Sequence, residues 1–156
     1  MALKETELAP DFTIPDAGEK KVSLHYFRGK WVVVYFYPKD DTPGCTMEAM
    51  EFTKLEADFS RAGAMVLGIS RDSCESHLQF SKKRNLGITL LSDADMAVQK
   101  LYGVWRPHSF MGKPVVGTVR STFLVDPGGR IAKIWDDVNP AGHAQAVLAE
   151  VEKRKK

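Results

Sequence analysis

Residues 31–46 read WVVVYFYPKDDTPGCT, an apolar run followed by the signals that end it. The first seven residues are β-branched or aromatic, which is typical of a buried strand. Two prolines and a glycine then interrupt the chain. Pro43 suits the first turn of a helix and Thr42 suits the N-cap before it, so a helix is predicted from about residue 43 onward.

Cys45 lies in the first turn of this predicted helix. There the sulfur would face free backbone N–H groups and the positive end of the helix dipole, and both favour a thiolate. The thiolate is the reactive form of cysteine, so the pattern predicts a nucleophile. The alternative is a buried structural cysteine, a common fate of unpaired thiols, although nothing structural requires a Thr-Pro-Gly-Cys arrangement.

The rest of the chain alternates between strand and helix patterns. Strands are predicted at 11–14, 22–24, 64–70, 88–91, 121–125 and 130–135, a helical turn at 25–30, and helices at 43–60, 73–84, 93–101 and 140–155. Residues 126–129, Asp-Pro-Gly-Gly, are a hairpin signal between the last two strands. This order predicts an α/β fold in which helices cover a mixed central sheet.

The composition is that of a globular protein. The 156 residues are 44% hydrophobic and 27% charged, with a net charge of +2, which indicates one domain over 1–156 and gives no argument for nucleic acid. No apolar run approaches the roughly 20 residues of a membrane span, and the N-terminus lacks the hydrophobic centre of a secretory signal. Two cysteines are too few for a disulfide framework. We therefore expect a cytoplasmic protein with both thiols reduced.

The spacing Pro38-x-x-x-Thr42-x-x-Cys45 resembles the active-site signature of the peroxiredoxins, and residues 35–46 resemble their Q-type, or bacterioferritin comigratory protein, branch. Further matches are APDF at 9–12, GISRDS at 68–73, LLSD at 90–93, YGV at 102–104 and RSTFLVD at 120–126. The resemblance covers nearly the whole chain and implies a thioredoxin-like fold with an N-terminal hairpin extension. It also implies a monomeric, cofactor-free, thiol-dependent peroxidase that reduces hydrogen peroxide and organic hydroperoxides.

The chemistry of peroxide reduction suggests roles for four residues. Cys45 would attack one peroxide oxygen and become a sulfenic acid, while donors stabilise the charge on the departing oxygen. The Thr42 hydroxyl and the Cys45 N–H would act as such donors, and Pro38 would shield the site. The resemblance adds Arg120 as a permanent cation that stabilises the thiolate and orients the peroxide. The alternatives are that Thr42 is only an N-cap and that Arg120 is a surface residue.

Cys74 is the second thiol, and its position departs from the family pattern. The resemblance implies a resolving cysteine either five residues after the nucleophile, where this chain has Met50, or at the position of Ser81. Cys74 precedes Ser81 by two helical turns and, like Cys45, follows a strand of a predicted parallel pair. The two thiols would then lie about 10–15 Å apart, and a disulfide would require the first helical turn to unfold.

Three routes for resolving the sulfenic acid are therefore open. Cys74 forms a disulfide with Cys45 within the chain, although its position is unusual. Alternatively, the enzyme has a single working cysteine and is reduced by an external thiol such as glutathione, a glutaredoxin or thioredoxin. In the third route, the disulfide forms between subunits.

Other functions of a reactive thiol fit less well. A thioredoxin-type disulfide oxidoreductase uses Cys-x-x-Cys, whereas Glu48 stands three residues after Cys45. A cysteine hydrolase needs a histidine base, and none is recognisably placed. A redox sensor that signals to a partner protein would use the same thiolate, and only its slow turnover would distinguish it from a peroxidase.

The remaining polar residues are expected to be structural or solvated. The four histidines, His25, His77, His108 and His143, show no metal-ligand spacing, and no cofactor motif is visible. We expect each histidine to be exposed or hydrogen-bonded. Asp40 and Asp41 should point outward, because a negative charge beside the sulfur would oppose thiolate formation.

Overall fold

The computed structural model describes residues 3–155, and a five-stranded mixed sheet lies at its centre. The strands are β1 (Thr13–Pro15), β2 (Lys21–Ser23), β3 (Trp31–Phe36), β4 (Ala64–Ser70), β5 (Thr89–Ser92), β6 (Trp105–Phe110), β7 (Lys113–Thr118), β8 (Ser121–Val125) and β9 (Ile131–Trp135). The helices are α1 (Pro43–Lys54), α2 (Glu56–Arg61), α3 (Cys74–Arg84), α4 (Ala97–Leu101) and α5 (His143–Arg154), with a 3-10 turn at Leu24–Phe27. The central sheet has the order β5-β4-β3-β8-β9, in which β3, β4 and β5 are parallel and β8 is antiparallel to β3 and β9.

Strand β3 lies in the middle of the five-stranded sheet, and both of its faces are buried and apolar. Its residues alternate between two buried clusters, as the two-residue period of a strand requires. Val34 and Phe36 pack toward β2 and α4, whereas Val33 and Tyr35 pack toward α1, α2 and α5. Helices therefore cover a mixed sheet, and the predicted α/β fold is confirmed.

The helices predicted over 73–84 and 140–155 span Cys74–Arg84 and His143–Arg154, and the other two predicted helices differ more from the structure. The helix predicted over 43–60 is two helices, α1 and α2, which meet at Leu55 (φ −98°, ψ 5°). Phe59 in α2 is still buried, so the apolar stripe continues past the break. The helix predicted over 93–101 begins only at Ala97, because the Asp93 carboxylate accepts N–H groups from the first turn of α4 and Met96 takes a positive φ of 60°.

Strands β6 and β7 form a hairpin that the sequence patterns did not predict. Met111 and Gly112 make its turn with φ values of 53° and 79°, the positive values that a tight two-residue hairpin turn requires. A Met-Gly turn lacks the usual Asn-Gly or Asp-Gly signal. Pro107 and Pro114 also lie within the strands, and proline ordinarily argues against a strand.

Candidate active site

Cys45 lies in the first turn of α1, just beyond the carboxyl end of β3. The helix begins at Pro43 as predicted, and the N–H of Thr46 bonds to the carbonyl of Thr42 at 2.8 Å. Cys45 is only 2% exposed and packs in the same cluster as Tyr35 and Phe52. The sulfur is thus largely shielded from bulk water at a helix N-terminus.

Arg120 reaches this sulfur from a different part of the chain. It directly precedes β8, and the antiparallel pairing of Phe36 with Ser121 places it beside the carboxyl end of β3. Its Nη2 donates to Cys45 Sγ at 3.4 Å, and its Nη1 donates to a Glu48 carboxylate oxygen at 2.7 Å. The arginine is therefore a neighbour of the thiol and not a free surface residue.

The space for the guanidinium is provided by Gly44, since a Cβ at this position would lie 3.1 Å from Arg120 Nη2. Burial opposes the charge of Arg120. The nearby negative charges of Glu48 and Cys45 nevertheless raise its pKa above the ordinary value, so it remains a cation. A fixed cation beside a helix N-terminus is an environment that stabilises a thiolate.

Glu48 is a site residue that the sequence patterns did not identify, since in the sequence it only takes the place of the second cysteine of a Cys-x-x-Cys motif. Its side chain is fully buried, and one carboxylate oxygen has no hydrogen-bond partner. Burial raises the pKa of Glu48 to about 7, although Arg120 acts in the opposite direction. The i, i+3 spacing from Cys45, on the apolar face of α1, is the signal that could have identified it.

Thr42 and Pro38 lie in the loop between β3 and α1. Thr42 occupies the N-cap position, but its hydroxyl donates to the Lys39 carbonyl at 2.8 Å and makes no side-chain cap bond. Pro38 is exposed and lines an open groove of about 230 Å³ that runs beside the β6–β7 hairpin. Trp105 and Val116 contribute apolar surface to the same groove.

Asp40 and Asp41 differ in where they point. Asp41 is exposed as predicted, and it pairs with Lys83 and Arg84, which lower its pKa. The outward orientation predicted for Asp40 is wrong, since this residue is 7% exposed. Hydrogen-bonding side chains surround its carboxylate, and they compensate for the loss of solvation.

Cys74 is the first residue of α3 and is partly exposed. The preceding Ser73 caps the helix by accepting the Ser76 N–H at 3.1 Å. Strands β3 and β4 are parallel, so Cys74 and Cys45 both follow the carboxyl edge of the sheet. Both thiols are free in the structure, and the predicted separation between them stays a prediction.

Two of the four histidines are buried and hydrogen-bonded, as expected. Both ring nitrogens of His77 have oxygen partners. His143 bonds to the Thr122 hydroxyl at 2.7 Å, and burial together with the charge of Arg120 lowers its pKa to about 4. Over residues 3–155, no group of three His, Cys, Asp or Glu side chains could hold a metal ion. None of the helices in this range is long and apolar enough to cross a membrane.

Comparison with known proteins gives consistent matches. The model of the AhpC/TSA family matches residues 6–134. The chain is 44% identical over 139 residues to peroxiredoxin Bcp of Xanthomonas campestris, covering 89% of this chain and 87% of that protein. It is 43% identical over 146 residues to peroxiredoxin Bcp of Escherichia coli K12, covering 94% of each chain.

Solved structures agree with these sequence matches. The bacterioferritin comigratory protein of X. campestris, which has alkyl peroxide reduction activity, superposes with a TM-score of 0.88 at 42% identity, covering 93% of this chain and 92% of that one. Peroxidoxin BcpB of Mycobacterium tuberculosis superposes with a TM-score of 0.87 at 29% identity, covering 99% of each chain. Most of the described fold is therefore shared with these proteins, which confirms the predicted thioredoxin-like type.

Proposed function

Because the chain belongs to the AhpC/TSA family, in the Q-type branch of the peroxiredoxins, and is a thiol-dependent peroxidase, we propose that Cys45 is its peroxidatic nucleophile. One observation carries the proposal: the Arg120 guanidinium donates to a buried thiol at a helix N-terminus, with Nη2 and Sγ 3.4 Å apart. These features favour the thiolate that attacks the peroxide.

In the proposed reaction the Cys45 thiolate attacks one oxygen of the hydroperoxide and the O–O bond breaks. The attacked oxygen stays on the sulfur as a sulfenate, which takes up a proton from solvent to become the sulfenic acid. The proton of the hydroperoxide passes to the departing oxygen, which leaves as water or an alcohol. Arg120 would stabilise both the thiolate and the charge that develops on the departing oxygen. The N–H of Cys45, in the first turn of α1, would be a second donor.

Thr42 would contact the peroxide as a hydrogen-bond acceptor, and not as the donor expected from the sequence. Its hydroxyl proton is directed to the Lys39 carbonyl, so its lone pairs remain to accept a hydrogen bond from the peroxide O–H. Pro38 would limit access of water at the entrance. The open groove beside Pro38 leaves room for the organic group of an alkyl hydroperoxide, the substrate class reduced by the X. campestris protein.

The proposed catalytic cycle ends with reduction by a thiol, for which thioredoxin, a glutaredoxin and glutathione are the candidates. Cys74 is the candidate resolving thiol within the chain. Its place in the first turn of α3 supports this role, because terminal helical turns open at low cost. We further propose a monomer that works as one domain in the cytoplasm, where thiols are kept reduced.

The first test is to add one equivalent of hydrogen peroxide to the reduced protein and measure its intact mass, with and without dimedone. Loss of two hydrogens without a dimedone adduct would indicate a Cys45–Cys74 disulfide. A lasting adduct on Cys45 would indicate an enzyme that depends on an outside thiol, and a disulfide-linked dimer would indicate resolution between subunits. Cys74→Ser is the matched control, since removal of this thiol should leave the Cys45 sulfenic acid open to dimedone if Cys74 is the resolving cysteine. Lack of any oxidation at Cys45 would refute the proposal.

A further inference from the structure

A buried polar cluster joins the active-site loop, residues 38–42, to helix α3. Its centre is Asp40, whose side chain is 4% exposed, and His77, whose side chain is not exposed at all. The Asp40 carboxylate accepts from the Tyr37 hydroxyl at 2.6 Å and from the Ser76 hydroxyl at 2.8 Å. It also lies 2.7 Å from Nδ1 of His77. The chemistry proposed for Cys45 uses none of these side chains.

The contact between His77 and Asp40 must contain a proton. The Nε2 of His77 lies 2.9 Å from the Leu91 carbonyl, which can only accept, so Nε2 carries a hydrogen. Nδ1 faces a carboxylate oxygen, and two bare acceptors at 2.7 Å would repel each other. A hydrogen therefore lies between them, and a buried hydrogen bond between these groups is among the stronger kinds.

The main chain of the loop is held at the same residue. The N–H of Asp40 donates to Asp72 at 2.9 Å, and Asp72 is fixed in turn by the Ser70 hydroxyl at 2.6 Å. Asp40 is thus anchored through both its side chain and its backbone. It stands midway between Pro38 and Thr42, the two ends of the loop.

We propose that Asp40 is a positioning residue for peroxide reduction, acting through the anchored loop that presents Thr42 and leads into the Cys45 turn. Asp40 does not reach the sulfur itself, since its carboxylate faces Tyr37, Ser76 and His77. Its contribution is to keep the loop on α3, so that a peroxide meets the Thr42 hydroxyl and the sulfur in one geometry. The inference rests on the proposed role of Cys45.

The test measures the second-order rate constant for peroxide by stopped-flow tryptophan fluorescence in Asp40→Ala and Asp40→Asn. In Asp40→Ala the loop loses its anchor, and the rate constant should fall about tenfold or more, as is usual when reacting groups are misplaced. Asp40→Asn should retain most of the rate, because its amide oxygen can accept from Tyr37 and its amide nitrogen can donate to Nδ1 of a neutral His77.

Asp41→Asn is the matched control. It removes a carboxylate that also links the loop to α3, but in an exposed position where ion pairs contribute little, so the rate should not change. Alkylation of Cys45 by iodoacetamide is the second readout. Its rate should be unchanged in Asp40→Ala, because Arg120 still contacts the sulfur, whereas general loss of structure would change it.

An unchanged peroxide rate in Asp40→Ala would overturn the inference, as would an Asp40→Asn variant as slow as Asp40→Ala. If Asp40→Ala does not fold, the double variant Tyr37→Phe with Ser76→Ala keeps the carboxylate and removes two of its donors. That variant should also react more slowly with peroxide, and a wild-type rate would count against the proposal. Cys45→Ser distinguishes failure of the inference about Asp40 from failure of the proposed function. Peroxidase activity in that variant would refute Cys45 as the nucleophile.

Discussion

Glu48 is subject to two opposing influences, its burial on the inner face of α1 and its ion pair with Arg120. Burial prevails and raises the pKa of Glu48 from 4.5 to about 7. The unfolded chain is then ionised at this residue from about pH 4.5 upward, whereas the folded chain keeps the proton until about pH 7. The stabilisation associated with this proton is therefore complete below about pH 4.5 and is lost as the pH rises to 7.

Glu48→Gln should remove this pH dependence while preserving the shape of the side chain. Between pH 4.5 and 7 the free energy of unfolding of the wild type should fall relative to that of the variant, by on the order of 3 kcal/mol for a shift from 4.5 to about 7. Urea unfolding at several pH values measures the difference. The exposed Glu75→Gln is the control, and parallel curves for Glu48→Gln and wild type would contradict the prediction.

Arg120→Met tests the cation beside the sulfur. The change removes a charge and a hydrogen bond from Cys45, so the reaction with peroxide should slow at least about tenfold, equivalent to about 1.4 kcal/mol in the activation free energy. Stopped-flow fluorescence of Trp31, Trp105 and Trp135 can follow the reaction. Arg106→Met, which removes a partly exposed arginine paired with Asp136, should react like wild type. Equal rate constants for the two variants would exclude the proposed role of Arg120.

At the scale of secondary structure, the pairing of β3 with β4 explains a glycine. The register places Gly68 directly opposite Tyr35, whose ring lies over it. A Cβ at Gly68 would come within 2.8 Å of the ring and hydroxyl of Tyr35. That ring is fully buried and stacks on Phe52 with centroids 4.7 Å apart, so it has little room to move.

Gly68→Ala should therefore lower the free energy of unfolding by about 1–3 kcal/mol, the usual cost of overpacking a core. The measurement is urea unfolding followed by circular dichroism. Gly18→Ala is a suitable control, because the nearest atom to its added Cβ would be a carboxylate oxygen at 3.5 Å on an exposed turn. A Gly68→Ala variant as stable as Gly18→Ala would show that the Tyr35 ring can move aside.

For some secondary-structure elements, local sequence signals were sufficient to predict where they begin or turn. The Pro-Gly-Cys start of α1 and the Asp-Pro-Gly-Gly turn between β8 and β9 depend on residues within one turn of each other, and both were predicted. The start of α4 was not, because it is set by how the Asp93 carboxylate bonds to N–H groups five and six residues later. The β6–β7 hairpin has a turn that its composition does not signal.

At the scale of the whole molecule, the sheet brings together residues that are far apart in sequence. Arg120 is 75 residues from Cys45, yet the antiparallel position of β8 beside β3 places it at the sulfur. Asp40 and His77 are 37 residues apart and meet because α3 packs over the loop that follows β3. Each contact requires the complete sheet, and local propensities carry no information about it.

The sequence by itself determined the strand–turn–helix unit around Cys45, the alternating α/β order and the family resemblance, because propensity, capping and turn chemistry act over a few neighbouring residues. Only the tertiary structure decided that Glu48 is buried against Arg120 and that Asp40 points inward to His77. The physical reason is that the burial of an acidic side chain depends on the partners that surround it. Those partners lie on other elements, so they exist only once the chain has folded.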